Sequence, residues 1–341
     1  MKNNRITIEN GKFVADGKEI WINGVNTPWN NWNDFGGNYD NDWWNDHYKA
    51  LSENGVNASR VWINCNNNQN AVQIDDKGIV SGVSEKHWAD LEAFFAIAEK
   101  YGIYIMATPL SFDHFKDNKN DKYPQATKWR AMVQSEEGID SYIHHYIIPF
   151  LNQFSSNSYL WCIDLMNEPD WVHENEECGQ LEWKDISNFF ARAAAAIHEN
   201  SSVLVTVGMS FPKYNADGPN CEGNKVSDEF LQNLYPNKNA RLDFWSPHYY
   251  DWVAEHYGVP YISKPSGSRN EGGWGLCPSK PSVLAECPAN GSANSTLFDD
   301  YANAYKNGWL GIMPWTSNGV DGNGGFDEVT AVSNRVFEFQ L

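Results

Sequence analysis

Apolar residues fall along this chain in short runs that alternate with helically spaced stripes. The runs are rich in β-branched and aromatic residues and bounded by turn formers. They predict eight strands, at residues 20–26, 56–63, 103–109, 159–165, 203–208, 244–248, 282–286 and 311–315. Between them, Trp88, Leu91, Phe95 and Ala98 share one face at helical spacing, with Ser84 placed to cap it; Ile186, Phe189, Ala193 and Ile197 share another. A helix over 139–154 is expected to kink at Pro149, which has no N–H for the helical ladder. Further helices are expected at 42–53, 227–234, 297–307 and 328–337. Ahead of all these, residues 6–20 read as a hairpin with turns at Asn10-Gly11 and Asp16-Gly17.

Strand and helix alternating eight times predict an α/β fold, a (β/α)8 TIM barrel, as one domain over residues 1–341 with the short N-terminal β-hairpin capping its bottom. A doubly wound sheet is the competing architecture. Against it, the first turn is not Gly-rich, and polar residues follow many strands rather than clustering at one switch point.

Two of the strands end in a glutamate. The apolar run over 159–166 stops at Asn167-Glu168-Pro169, where Pro169 has no N–H for a sheet and keeps Glu168 out of the right-handed helical region. The run that starts at Pro281 likewise stops at Glu286. In a barrel both would stand on the C-terminal rim, where active sites lie. Two carboxyls at one rim are what glycoside hydrolysis requires, one as acid and one as nucleophile. Either glutamate alone would read as the partner of a loop cation. Together they read as catalytic.

Composition narrows the partners. A net charge of −19 repels phosphate backbones and acidic polysaccharides and leaves neutral polymers open. The 16 Trp exceed what a core needs, and several lie in loops rich in Asn and Gly, where indoles stack on sugar rings and amides meet hydroxyls. Among the cysteines, Cys162 and Cys287 are expected buried and free, while Cys178, Cys221 and Cys277 lie in loops as candidates for pairing. There is no Cys-x-x-Cys and no metal-type histidine spacing, so neither a metal nor another cofactor is expected. Sequons occur at Asn57, Asn200, Asn290 and Asn294, the first against a predicted buried strand. No apolar run approaches the ~18 residues of a membrane span, and the start carries no leader. A secreted protein with its leader removed, acting as a monomer, is expected.

The rim residues form a ring. Asn26, Trp29 and Trp32 follow the first strand, and Arg60 lies within the second. Ser111-Phe112-Asp113-His114 and a polar loop to Gln134 follow the third, and an acidic loop over 170–177 follows Glu168. His248-Tyr249-Tyr250, Glu286 and Trp315 close the circle. An arginine inside an apolar strand is costly unless paired, so Arg60 is expected to face a carboxylate within the barrel.

As an ordered set, Arg60, Asn167-Glu168-Pro169, His248 and Tyr250 of a His-x-Tyr, Glu286 and Trp315 resemble glycoside hydrolase family 5, barrel glycosidases with glutamates on strands four and seven. The likeness covers nearly the whole chain. It implies that Glu168 is the acid/base and Glu286 the nucleophile, and that Asn167 bonds the sugar 2-hydroxyl. Tyr250 and Arg60 would orient Glu286, His248 would sit beside the acid/base, and Trp315 would form the floor under the reacting sugar. Many relatives carry a histidine at the end of strand three; here Thr108-Pro109-Leu110 stands there, and His114, a few residues later, is given no role. Arg60 beside Glu286 would lower that carboxyl's pKa, while burial and a neighbouring carboxylate would raise that of Glu168.

The stretch from Arg60 through Gly78-Ile79-Val80-Ser81-Gly82, and the end Trp315-Thr316-Ser317-Asn318-Gly319, are most similar to endo-β-1,4-mannanases. The resemblance implies retaining hydrolysis of internal β-1,4-mannosidic linkages in a neutral plant β-glycan: mannan, glucomannan or galactomannan. An endo-β-1,4-glucanase, or dual activity, is the alternative, because glucose and mannose differ only in the orientation of the 2-hydroxyl. A non-catalytic glycan-binding barrel is a third reading, disfavoured by the presence of both glutamates.

Overall fold

The computed structural model describes residues 4–65, 71–117, 125–257, 263–293 and 295–338. The Asn294 sequon and part of the polar loop before Gln134 lie outside them. The chain opens with three short antiparallel strands, β1 (Thr7–Glu9), β2 (Lys12–Ala15) and β3 (Lys18–Glu19). There follow β4 (Ile22–Asn26), α1 (Asn41–Glu53), β5 (Ala58–Trp62), a hairpin of β6 (Val72–Ile74) and β7 (Val80–Val83), α2 (Glu85–Tyr101) and β8 (Tyr104–Thr108). Next come α3 (Ala126–Val133), α4 (Glu136–Tyr142), α5 (Ile148–Phe154), β9 (Leu160–Asn167), α6 (Pro169–Glu174), α7 (Trp183–Asn200) and β10 (Leu204–Gly208). The last are α8 (Asp228–Leu234), α9 (Asp251–Tyr257), α10 (Leu297–Asn307), β11 (Gly311–Ile312) and α11 (Phe326–Ser333).

Six of these strands form one parallel sheet in the order β10-β9-β8-β5-β4-β11. Two further staves close it into a (β/α)8 barrel. The His248 N–H donates to the Met209 carbonyl beyond β10 (2.7 Å), Trp245 and His248 bridge to Ser282 and Glu286, and Leu284 bridges to Ile312 in β11. These two staves coincide with the predicted strands over 244–248 and 282–286 but are held by isolated bridges. Pro247 and Pro281 have no N–H to donate, although their carbonyls accept from Ala285 and Trp245.

The helices form where the stripes place them. The Ser84 side chain accepts from the His87 N–H at the start of α2. The kink expected at Pro149 takes another form: α4 passes through a π turn over Ile143–Ile147 into α5, with the Ile148 N–H donating to the Ile143 carbonyl. Widening the ladder ahead of Pro149 accommodates its missing N–H without a break.

The larger apolar core lies between barrel and helices; a smaller one fills the bottom of the barrel. There Phe13 of β2 meets Trp161 and Phe244 edge-on, each at 5.4 Å, and those two rings stack at 5.3 Å. Arg5 donates to the carbonyls of Leu160 and Asn157, both at 3.0 Å. The three-stranded unit is thereby seated against the barrel floor, away from the rim that carries the glutamates.

The loop cysteines do not pair as the sequence suggested. Cys178 is buried with its sulfur towards the Phe112 carbonyl, and Cys277 is exposed beside the Ser279 hydroxyl; both are free thiols, so neither joins Cys221. Disulfide geometry demands Cα atoms within about 7 Å, a condition that loop membership says nothing about. Asn57 has its side-chain amide tied to Asn23 N–H and the Trp21 carbonyl.

Candidate active site

β9 is buried along its whole length and delivers Asn167 and Glu168 to the rim. Glu168 leaves the strand at φ +50°, ψ +57°, in the left-handed region rather than the extended one that its position before proline suggests. Its N–H donates to the Gly208 carbonyl at 2.7 Å, and Pro169 begins α6. A non-glycine residue held in this region marks stored strain of a kind common at functional sites.

Arg60, wholly buried in β5, organises the floor. It donates from Nε and Nη2 to Asp164 Oδ2 (2.9 and 2.7 Å), from Nη2 to Asn167 Oδ1 (2.8 Å), and from Nη1 to Asn26 Oδ1 (3.2 Å) and Glu286 Oε1 (2.5 Å). Asp164 is the barrel carboxylate that the sequence required but did not identify; its other oxygen accepts from the Gly208 N–H at 2.7 Å. Glycine is needed there. A Cβ at 208 would lie 2.8 Å from Arg60 Nη2 and 2.9 Å from both Asp164 Oδ2 and His248 Nε2.

Tyr250 donates its hydroxyl to Glu286 Oε2 at 2.9 Å, and His248 Nδ1 lies 2.9 Å from Glu168 Oε1 and 3.5 Å from Glu286 Oε1. Facing oxygens of Glu168 and Glu286, with the His248 nitrogen, fall within 4.8 Å of one another. That spacing would also admit a cation, but the Arg60 guanidinium already stands against Glu286 as the local positive charge.

Burial dominates the electrostatics. It pushes Glu168 up to about 7, against the pull of Arg60. It raises Glu286 as well, outweighing His248 and Arg60, so the expected lowering of Glu286 does not occur. Desolvation of a fully enclosed carboxylate is the larger effect here. Burial also lowers His248 to about 4, which leaves it neutral near pH 7 and makes Arg60 the cation that acts on both carboxyls.

Aromatic rings wall the cleft above. Trp29, Trp32, Trp62 and Trp315 line a space of about 480 Å³ together with Phe112, Asp113, Asn167, Glu168, Tyr250, Glu286 and Asp321. Trp29 meets Trp32 at 4.7 Å, and Trp62 meets Trp315 at 5.3 Å, both edge-on. Every candidate named from the sequence is thus gathered at this rim, with Arg60 and His248 beneath the surface. Sequence reasoning overlooked Trp62, Asp164 and Asp321; it placed Asp113 in the rim ring but gave it no role. Trp62 had a signal, since it shares a strand face with Arg60 two residues earlier. His114 is buried away from the cleft, with Nε2 3.2 Å from Asn64 Nδ2 and its ring edge-on to Trp129, and burial lowers it to about 3.

Trp315 supplies a test of ring stacking. Trp315→Phe is expected to keep a measurable part of sugar-directed activity, and Trp315→Ala to lose about 10- to 100-fold, in line with ~1.5–3 kcal/mol for the apolar surface of one large side chain. Wild-type activity in Trp315→Ala would make it a packing residue.

A parallel barrel carrying glutamates at the ends of its fourth and seventh staves, with an arginine and a tyrosine on the second glutamate, defines a class of (β/α)8 barrel with paired carboxyls at its rim. Within that class the chain is mannanase-like in sequence and fold. It is 25% identical over 366 aligned positions to a mannan endo-1,4-β-mannosidase of Mytilus edulis, covering 99% of this chain and 94% of that one. The β-1,4-mannanase of the sea hare Aplysia kurodai superposes with a TM-score of 0.83 at 22% identity, covering 97% of this chain and 96% of the other. A glycoside hydrolase family 5 mannosidase of Rhizomucor miehei is a more distant structural match, with a TM-score of 0.54 at 15% identity over 93% and 86% of the two chains. No protein-family model matches the chain.

Proposed function

We propose that this protein is a retaining endo-β-1,4-mannanase, with Glu286 as nucleophile and Glu168 as acid/base. The observation that carries the reading is the close approach of the two carboxyls, with facing oxygens within 4.8 Å, at the base of a tryptophan-walled cleft. Retaining glycosidases hold their carboxyls ~5–5.5 Å apart, whereas inverting ones need room for a water. The full-length likeness to mannan endo-1,4-β-mannosidases supplies the substrate.

Two such carboxyls share one proton more readily than they hold two charges. Arg60 and the Tyr250 hydroxyl bond directly to Glu286, so the charge rests there and the proton on Glu168. Glu286 attacks the anomeric carbon as Glu168 protonates the departing glycosidic oxygen, forming a glycosyl-enzyme ester. Glu168, now ionised, takes a proton from water as that water attacks the same carbon, releasing Glu286 and restoring the acid. The 2-hydroxyl of the reacting sugar falls to Asn167, which lines the cleft.

Parallel digestion of galactomannan, glucomannan and carboxymethylcellulose, with products sized, tests the substrate. Internal cleavage of both mannans and little attack on carboxymethylcellulose is expected; the reverse preference overturns it. An NMR time course should show the β anomer first. kcat/KM on a soluble manno-oligosaccharide should fall as pH rises through about 7, because Glu168 then loses the proton it must deliver. A rate unchanged to pH 9 would remove Glu168 from that role.

A polymeric substrate also supports action outside the cell. Among the described residues no helix is long and apolar enough to cross a membrane. Tyr305 and Phe337 are the large apolar side chains left exposed among them, which favours a monomer.

A further inference from the structure

Asp170 is unused by the mechanism above, yet it is wholly buried two residues beyond Glu168. Its Oδ2 accepts the Ser210 N–H at 2.9 Å, and its Oδ1 has no hydrogen-bond partner among the described residues. A buried carboxyl whose bonding is confined to Ser210 and its own backbone is poorly compensated as an ion. Burial pushes it up to about 8, with the neighbouring carboxyl of Glu168 adding to the shift, so near pH 7 Asp170 is neutral and places no negative charge beside the acid Glu168.

The local geometry explains why an acceptor is held there. Glu168 sits in a left-handed turn that its side chain disfavours, and Pro169 contributes no N–H to tie the turn down. Two links join this segment to the end of β10. One is the Glu168 N–H on the Gly208 carbonyl; the other is the Ser210 N–H on Asp170. They bracket Pro169 on both sides. The Trp171 N–H closes the same turn onto the Glu168 carbonyl at 3.1 Å.

We infer that Asp170 is a positioning residue for Glu168: by clasping the first turn of α6 to Ser210 it keeps Glu168 in the left-handed turn that aims its carboxyl at His248 and Glu286. The inference rests on Glu168 serving as acid/base. It requires an acceptor oxygen at position 170, not a charge.

Asp170→Ala and Asp170→Asn separate this role from plain packing. For Asp170→Ala, kcat on mannopentaose should fall about 10- to 100-fold, part of the ~10²–10⁴ that a general acid supplies, with KM little changed. The burst of dinitrophenol from a dinitrophenyl β-mannobioside should be nearly unaffected, because that leaving group needs no proton. Asp170→Asn, which keeps an acceptor for Ser210, should match the wild type on both substrates. Equal losses of Asp170→Ala on the two substrates, no loss on either, or an Asp170→Asn variant as impaired as the alanine would each overturn the inference. A crystal structure of Asp170→Ala should show Glu168 out of its left-handed turn, and retention of φ near +50° would also overturn it. That readout needs no turnover. A wild type inactive on mannan and aryl mannoside alike would sink the mannanase reading, and the backbone of the variant would still decide the clasp.

Discussion

Glu286→Ala is expected to fold, to bind manno-oligosaccharide, and to lose hydrolysis by roughly 10⁴-fold or more, the scale of loss when a nucleophile is removed from a site whose members act as a unit. The carboxylate it removes is the one that Arg60 and Tyr250 hold from two sides. No other described carboxylate both lines the cleft and bonds that arginine, Asp164 lying below the surface at full burial. Added azide would enter the space vacated by the side chain, from the face opposite the leaving group, and yield at most an α-glycosyl azide. Near-normal turnover by the variant would end the assignment. The removal also leaves Arg60 with Asp164 as its remaining carboxylate, so a moderate change in thermal stability should accompany the kinetic loss.

Glu168→Ala should behave differently, and the contrast tests the two roles rather than the location. On polysaccharide it should lose about 10²- to 10⁴-fold, the usual contribution of a general acid/base. From an activated aryl mannoside it should form the glycosyl-enzyme at close to the normal rate, because a weakly basic leaving group departs without a proton. It should then stall, since no base remains to activate water. Azide needs no base, so adding it should relieve the stall and release a β-glycosyl azide. Should the two variants exchange these behaviours, the roles are reversed. If azide rescues neither, double displacement is unsupported for this chain.

Much of the site was legible along the chain because its signals are local. An apolar run ending abruptly in Asn167-Glu168-Pro169 needs no partner to be noticed, and neither does the run ending at Glu286. The helix stripes, the Ser84 cap and the alternation of strand and helix are likewise local, since side-chain period and capping depend on neighbours a few residues away. Arg60 shows the limit of such reasoning. Its place in an apolar strand demanded a carboxylate, but Asp164, Asn167 and Glu286 are brought to it from two other staves.

Tertiary structure decided what depends on long-range proximity and on the depth of burial. The sequence placed a cation near Glu286 and expected a lowered pKa; enclosure at the barrel floor raises it instead, because desolvation grows with everything packed around the group. The need for glycine at 208 exists only because Arg60, Asp164 and His248 converge on that point. Cys178 and Cys277 were candidates by their loops and are free by their positions. The hairpin of β6 and β7 went unpredicted because its strands are three and four residues long and its turn lacks the Asn-Gly or Asp-Gly pair that marked the equally short N-terminal strands; Gly78, at φ +80°, turns it where a Cβ would lie 2.2 Å from the Met132 nitrogen. The sequence by itself determined the barrel's alternation and the two rim glutamates, which are written in runs and their endpoints. Only the folded chain decided which groups face those glutamates and how deeply water is excluded, because Coulomb and desolvation energies depend on distances in space that a linear pattern does not contain.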